Sequence, residues 1–450
     1  MKRSFFKCSG VLLVALSAVV LFLTSCSKKA DTSATSSTAS SATESSQAAT
    51  TQVKELTVWC WDPSFNIYAM NVAAEIYGRD NPNVKINVVE TPWADLQQKL
   101  ITSLTANDTK SLPDIILCQD SAMQKNITNY PKAFYPLDGK VDLDSFAQYK
   151  VGYGEFAGKH YCVPFDNGAT ATFIRTDILE QAGLTANDFN DITWREYLEL
   201  GKIVKEKTGV TMVSYVGTEP DCIFLMLQSA GKWVFDEDGN PSLVGNGALE
   251  EALSVYAEMI KEGVCLTVPD WNAYIATIQG GTVASTINGC WIAASITGQA
   301  DQAGKWAVVS TPRLDNVDGA TNYSNQGGSS WMVMASSKNP DLACDFLNKT
   351  FGGSPELYET ILPSAGAIAT WLPASNTSVY DEPHEFFGGQ KIYRDIVNYA
   401  GKIPQVKYGV YNYEARDAIG VVMADIISGK KTVAEGIEEA EKQVKFQMGL

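Results

Sequence analysis

From residue 56 onward, short runs of β-forming residues alternate with segments of helical periodicity. Leu56-Thr-Val-Trp-Cys-Trp61 is an apolar run that stops at Asp62-Pro63, which predicts a strand with a loop at its carboxyl end. Residues 67–77 read as a helix, and residues 84–90 alternate as a second strand. After Thr91-Pro92, Leu96, Leu100 and Leu104 keep one helical face apolar. Pro113-Asp-Ile-Ile-Leu-Cys118 is a third strand, closed by Gln119-Asp120-Ser121. Strand, helix, strand, helix, strand predicts a parallel α/β sheet. Ligands of such sheets sit beyond the strand carboxyl ends, which places Trp61, Asp62 and Asp120 on the working edge.

A second α/β stretch follows Tyr161-Cys-Val-Pro164. Thr193-x-x-Glu196 forms a capping box ahead of a helix carrying Tyr197, Leu200 and Val204, and Thr432-x-x-Glu435 does the same ahead of Ile437, Ala440 and Val444. Asn339-Pro340 starts a further helix with Leu342, Phe346 and Leu347 inward. Asp236-Glu-Asp-Gly-Asn240 superficially suggests a calcium loop, but position twelve is Gly247, so a hairpin turn is predicted.

The amino-terminal segment follows different rules. Lys2, Arg3 and Lys7 precede an apolar run of 14 residues, 10–23, shorter than the ~20 that a spanning helix needs, so it reads as an export signal. The run ends in Leu23-Thr24-Ser25-Cys26, similar to the bacterial lipobox, in which the cysteine thiol receives a diacylglycerol. Of the 21 residues 31–51, 18 are Ser, Thr or Ala, too polar to offset the ordering entropy of a fold. As a flexible tether, the ~25 residues after Cys26 reach roughly 25–30 Å. The expected division is therefore a signal peptide over 1–25 and an anchor with tether over 26–52.

The 450 residues carry 35 Lys+Arg and 51 Asp+Glu, and loss of residues 1–25 leaves 32 basic and 51 acidic residues, a net charge of −19. Such acidity excludes a nucleic-acid partner and would repel an anionic membrane surface, so the lipid is the predicted membrane contact. The length suits two lobes, each with its own core. Two histidines, His160 and His384, and cysteines without CxxC spacing argue against a zinc site, and no GxxxxGK pattern cradles a phosphate, so no cofactor is expected. Seven cysteines remain after Cys8 and Cys26, an odd number that leaves at least one free thiol. Cys60, Cys118 and Cys162 lie in apolar runs that suit buried thiols.

The order of several motifs resembles the extracellular solute-binding proteins of family 1, the sugar-binding subunits of bacterial ABC importers. They are Leu56-Thr-Val-Trp-Cys-Trp61, Asn81-Pro-Asn-Val-Lys-Ile86, Leu112-Pro-Asp-Ile-Ile116, Tyr135-Pro-Leu-Asp138 and Gly158-Lys-His-Tyr-Cys-Val-Pro164, followed by Ile178-Leu-Glu-Gln-Ala-Gly-Leu184, Thr193-Trp-Arg-Glu196, Gly281-Thr-Val-Ala-Ser-Thr-Ile-Asn-Gly-Cys-Trp291 and Ser337-Lys-Asn-Pro340. Phe173-Ile-Arg-Thr-Asp177 departs from the tyrosine and asparagine usual before the lysine-aspartate pair. The resemblance implies a two-lobed, periplasmic-binding-protein-like type II fold with interleaved α/β lobes joined by three hinge crossings. The crossings are expected near 163–167, 308–312 and 373–375. Lobe 1 would comprise 53–164 with 312–373, and lobe 2 would comprise 165–311 with 374–450. The implied protein is exported, lipid-anchored on the outer face of the cell membrane, monomeric, and a partner of ABC permease subunits.

A sugar presents apolar C–H faces and a rim of hydroxyls, so its site needs flat aromatics with planar donors and acceptors around them. Trp291 closes Ile287-Asn-Gly-Cys-Trp291, where maltose-type proteins of the family place a tryptophan that stacks on a sugar ring. Tyr411 and Tyr413 lie near the position of another stacking aromatic, and Trp61 follows the first strand. Asp62, Asp120 and Asp166 are candidate hydroxyl acceptors, whereas Glu90 precedes a helix start. Asn167 offers a donor and an acceptor, and Asn325-Gln-Gly-Gly-Ser-Ser330 is a turn whose glycines let backbone, with Ser329, approach a ligand. The same aromatics and aspartates also suit a cation such as a polyamine. Paired carboxylates serve glycosidases as well, but no nucleophile elbow, HExxH or Ser-His-Asp ordering accompanies them, so binding without catalysis is expected.

Overall fold

A computed structural model describes residues 53–450; the signal segment, Cys26 and the tether lie outside the described residues. Two sheets organise the chain. The first has the order Val84–Glu90, Lys54–Cys60, Ile115–Gln119, Ser329–Val333, Val163–Pro164. Its first three strands are parallel, with Leu56 opposite Ile86 and Val58 opposite Ile115. This is the parallel arrangement expected of the three; Ser329–Val333, which the sequence did not assign to this sheet, joins it antiparallel, Trp331 facing Leu117 on one side and Val163 on the other. That strand returns to the sheet from a segment bonded around the second sheet, so no local βαβ crossover sets its direction. Leu56, Val58 and Cys60 are fully buried on one face of their strand beneath Met70, Ala73 and Tyr77 of the Asn66–Asp80 helix. Each fully buried Leu, Val or Met contributes about 1.5–3 kcal/mol.

The second sheet places Thr170–Arg175 between Ser285–Gly289 and Trp306–Val309, all antiparallel, beside a parallel pair formed by Val213–Val216 and Cys265–Val268. Helices Trp194–Thr208, Gly247–Lys261, Asn412–Ile427 and Val433–Met448 bury Trp194, Tyr256, Val422 and Val444 in its core. Both predicted capping boxes form: Thr193 Oγ1 accepts from Glu196 N at 3.2 Å, and Thr432 Oγ1 from Glu435 N at 3.2 Å. The 236–240 turn is the predicted hairpin, with Asp236 N donating to Asn240 O at 2.9 Å and Phe235 bridged to Pro241. All seven cysteines among the described residues are free and buried, and burial pushes the Cys60 and Cys162 thiols up to about 12.

Three chain segments run side by side between the sheets. Asp166 bridges Ala369, Asn167 N donates to Ile368 O at 3.1 Å, and Phe165 N donates to Ser329 O at 3.1 Å. Gly168 O accepts from Gln326 N at 2.8 Å, and Ala169 bridges Asn325. Ser310 bonds Asn190 and Asp191, and Thr321 and Ser324 bond Ser229 and Leu225, ahead of the turn over 325–328 that leads into Ser329–Val333. Gly168 is required at this junction: a Cβ there would meet Asn325 Oδ1 and Gln326 O at 2.7 Å and Gly327 O at 2.8 Å.

Candidate ligand cleft

The cleft is built at strand carboxyl ends, as the topology of open α/β sheets requires. Trp61 and Asp62 follow Lys54–Cys60, and Asn66 folds that loop back by accepting from both of their backbone N–H groups at 3.0 Å. Asp62 Oδ1 accepts from Ser64 N at 2.8 Å and Phe65 N at 3.1 Å, so the loop is fixed from within. Trp61 meets Trp93 edge-on at 5.3 Å.

The facing wall carries Trp291, just after Ser285–Gly289, and Trp271, which opens a helix capped by Asp270 through Ala273 N at 2.9 Å. The two indoles lie 5.7 Å apart at 43°, and Trp291 Nε1 donates to Gln326 O at 3.0 Å. Gly289 is the residue that lets this ring lie down, since a Cβ there would stand 2.2 Å from Trp291 Nε1. Gly327, Gly328 and Ser329 form the floor, with φ of 80° and 96° at the two glycines.

Three neighbouring compartments lie along these walls. One of about 470 Å³ is bounded by Trp61, Asp62, Phe65, Trp271, Trp291 and Ser329. A second, of about 220 Å³, continues past Trp291 to Asp221, Trp233, Asn325, Tyr413 and Arg416. A third, of about 360 Å³, shares Asp221 and Gln326 with the second and Trp271 with the first. Their combined size is in the range of small-molecule sites, and their make-up, aromatic faces with a few fixed polar groups, is what such sites require.

The structure thus brings Trp61, Asp62, Asp166, Trp291, Ser329 and Tyr413 to the cleft. Asp166 is 4% exposed, and its Oδ1 accepts from the Ser329 N–H at 2.7 Å and from the Ser329 hydroxyl, so it holds the floor. Asn167 is buried, and its Oδ1 accepts from the Tyr149 hydroxyl and from Ala169 N, each at 2.8 Å, so it braces the crossing. Asp120, at 1% exposure, lies behind the floor rather than in the cleft. It is ion-paired with the fully buried Lys150 and accepts from the Ser330 hydroxyl at 2.9 Å. Burial pushes its carboxyl up to about 6, against the pull of Lys150 in the other direction. Tyr411 packs on the second core and lines none of the three compartments, whereas the Tyr413 hydroxyl bonds Ser121 Oγ and Gln119 Oε1, each at 2.9 Å.

Sequence reasoning missed Trp271, Asp221, Gln326 and Arg416. The signal was present for two of them: Trp271 follows the Cys265–Val268 strand, and Asp221 follows Val213–Val216, so the strand-end rule applied to this parallel pair would have found both.

The profile of bacterial extracellular solute-binding proteins matches residues 72–385. This chain belongs to that family. The lactose-binding protein of Rhizobium radiobacter is 39% identical over 394 residues, covering 88% of this chain and 93% of that one. The arabinooligosaccharide-binding protein of Halalkalibacterium halodurans is 22% identical over 382 residues, 82% of this chain and 83% of its own length. Among solved structures, the ABC transporter-associated binding protein of B. animalis subsp. lactis in complex with β-1,6-galactobiose superposes with a TM-score of 0.69. It is 21% identical, with 88% of this chain and 98% of that one covered. The two-lobed fold is therefore that of the family. Among the described residues no helix of this solute-binding protein is long and apolar enough to cross a membrane.

Proposed function

We propose that this solute-binding protein captures a neutral oligosaccharide of about disaccharide size, closes over it, and delivers it to the permease of an ABC importer. The observation that carries this reading is the pair of tilted indoles, Trp271 and Trp291, lining the same compartment as Trp61 and Asp62 above a glycine floor. Flat rings take the C–H faces of pyranoses, and the fixed polar groups around them take hydroxyls. The likeness to a lactose-binding protein supports a β-galactoside as the first sugar to test. Closure favours ligand only through contacts with both lobes. Binding needs no covalent step, and no group in the cleft is assigned a catalytic role.

The lobes are proposed as 53–164 with 312–373 and 165–311 with 374–450, with the 312–324 stretch resting on lobe 2 before it crosses; the bonds from Thr321 and Ser324 support that adjustment. Diacylglycerol on Cys26, after removal of residues 1–25, would anchor a monomer through the polar tether to the outer face of the membrane. Thermal shift of the mature protein against lactose, cellobiose, arabino-oligosaccharides and spermidine tests the reading. A true ligand at 100 times its dissociation constant adds about 2.7 kcal/mol of stability. Stabilisation by spermidine and by none of the sugars would overturn it in favour of a cation carrier.

A further inference from the structure

The second and third compartments meet at an ion pair, between Asp221 at the start of the Asp221–Ser229 helix and Arg416 of Asn412–Ile427. Neither is buried away from the cleft: their side chains retain 32% and 21% exposure. Asp221 Oδ1 accepts from Arg416, and Oδ2 accepts from Gln326 Nε2 at 3.1 Å, which leaves acceptor capacity on both oxygens. The Arg416 guanidinium lies 4.8 Å from the Phe224 ring centroid, a contact that fixes its plane while leaving N–H groups directed elsewhere.

Two amide side chains are packed beside this ion pair. Asn325, 5% exposed and lining this compartment, has Oδ1 buried without a hydrogen-bond partner among the described residues, and so does Gln326 at Oε1. Their amide nitrogens are engaged, Asn325 Nδ2 with Gly327 O at 3.0 Å and Gln326 Nε2 with Asp221, so amide orientation is set. The two amides, beside a carboxylate with spare lone pairs and an arginine with spare N–H groups, form a fixed, net-neutral array of donors and acceptors. Trp291 and Tyr408 also line it.

We propose that Asp221 and Arg416, with Asn325 and Gln326, are the specificity-determining residues of this protein. They read the hydroxyl configuration of one terminal pyranose of the ligand, while Trp61, Trp271 and Trp291 hold the sugar without regard to configuration. The proposal rests on the sugar-binding reading above. The chemistry is a vicinal hydroxyl pair: one hydroxyl donates to Asp221 Oδ1 and accepts from Arg416, and its neighbour donates to Asp221 Oδ2, while the Asn325 and Gln326 amides hold the pair in place. An epimer turns one of those hydroxyls away and leaves charged, enclosed groups unpaired, which is the arrangement that discriminates most strongly between closely similar sugars.

Isothermal titration of the mature protein with lactose, cellobiose and epilactose tests this. Lactose and cellobiose differ in one hydroxyl of the non-reducing ring, and lactose and epilactose in one hydroxyl of the reducing ring. The wild type is expected to discriminate at least tenfold within one pair. Asp221→Asn and Arg416→Gln should each bring that ratio to within threefold and leave the other pair's ratio unchanged, with the ligand-free melting temperature preserved as a check on folding. Trp271→Ala should weaken all three sugars by the same factor. Equal affinity of the wild type for all three, or variants that weaken all three alike or none, overturns the assignment while leaving sugar capture standing. Binding of none of the three, with stabilisation by spermidine, removes the functional reading itself.

Discussion

Lys150→Met is the sharpest test of how the hinge is held. Lys150 and Asp120 are 0% and 1% exposed, and the pair lies against the second crossing: Lys150 Nζ donates to Ser329 O at 3.4 Å, and a Cβ on Gly328 would meet Lys150 Nζ at 2.6 Å. Methionine fills the lysine's volume but leaves a buried carboxylate with only the Ser330 hydroxyl as partner, which costs about 3–5 kcal/mol. The pH dependence follows from the direction of the Asp120 shift. Its folded value, about 6, is above the ordinary 3.8, so the native state holds this proton more tightly than the unfolded chain. The stability it contributes is fully present below about 3.8 and is lost as pH rises through about 6. Without Lys150 only the Ser330 hydrogen bond offsets burial, the folded value rises further, and the loss extends through pH 7. Urea unfolding at pH 5, 6 and 7 should therefore show a deficit of 3–5 kcal/mol at pH 7 that narrows toward pH 5. Adding Asp120→Asn to Lys150→Met should recover at least half of it, because the buried charge is then gone. A pH 7 deficit under about 1 kcal/mol, or one that widens on acidification, refutes the reasoning.

Trp291→Ala should weaken sugar affinity tenfold or more in titration calorimetry with the circular dichroism spectrum retained, since stacking contributes ~0.5–1.5 kcal/mol beyond the lost area. Glu414→Gln breaks the Lys125–Glu414 pair between helices Asp120–Asn129 and Asn412–Ile427, and should lower affinity by a few-fold at low salt with the gap closing at high salt. Gly168→Ala forces a Cβ to within 2.7–2.8 Å of three oxygens of the second crossing and should cost about 1–3 kcal/mol by scanning calorimetry.

What the sequence disclosed was local. The two capping boxes, the 84–90 strand and the 236–240 turn each depend on residues within a few positions of one another, and each formed as predicted. The mixed first sheet did not announce itself, because Ser329–Val333 reads as one more apolar run and its direction is set by where the chain has been for the preceding 150 or so residues. The aromatics of the cleft were legible where a strand end marked them, as at Trp61 and Trp291. Tyr411 and Tyr413 could not be separated by spacing alone: two residues at the start of a helix are roughly 200° apart around its axis, so one faces the lobe core and the other the opposite lobe. Asp120, Asp166 and Asn167 occupy the right place in the topology, yet sequence gives no sign that Lys150, Ser329 and Tyr149 arrive from elsewhere to occupy their oxygens. A buried polar group is recognised by its partners, and partners distant in sequence are what a linear pattern omits.

The contacts between the lobes are of two kinds, and the difference fixes how much work the sugar must do. Tyr413 with Ser121 and Gln119, and Glu414 with Lys125, join the lobes without any ligand, and so set the closed population of the free protein. The facing walls at Trp61 and at Trp271 with Trp291 can be joined only through a molecule between them. Moving such an equilibrium from 1:99 to 99:1 takes about 5.5 kcal/mol of differential binding. A micromolar ligand supplies about 8 kcal/mol in all, so a free protein that was almost entirely open would have to spend most of its binding energy on closure. Ligand-independent contacts reduce that share. Affinity is then tuned at the helix 120–129 and 412–427 contact and selectivity at Asp221 and Arg416, so substitutions at the first should change every sugar's dissociation constant by one common factor and substitutions at the second should not.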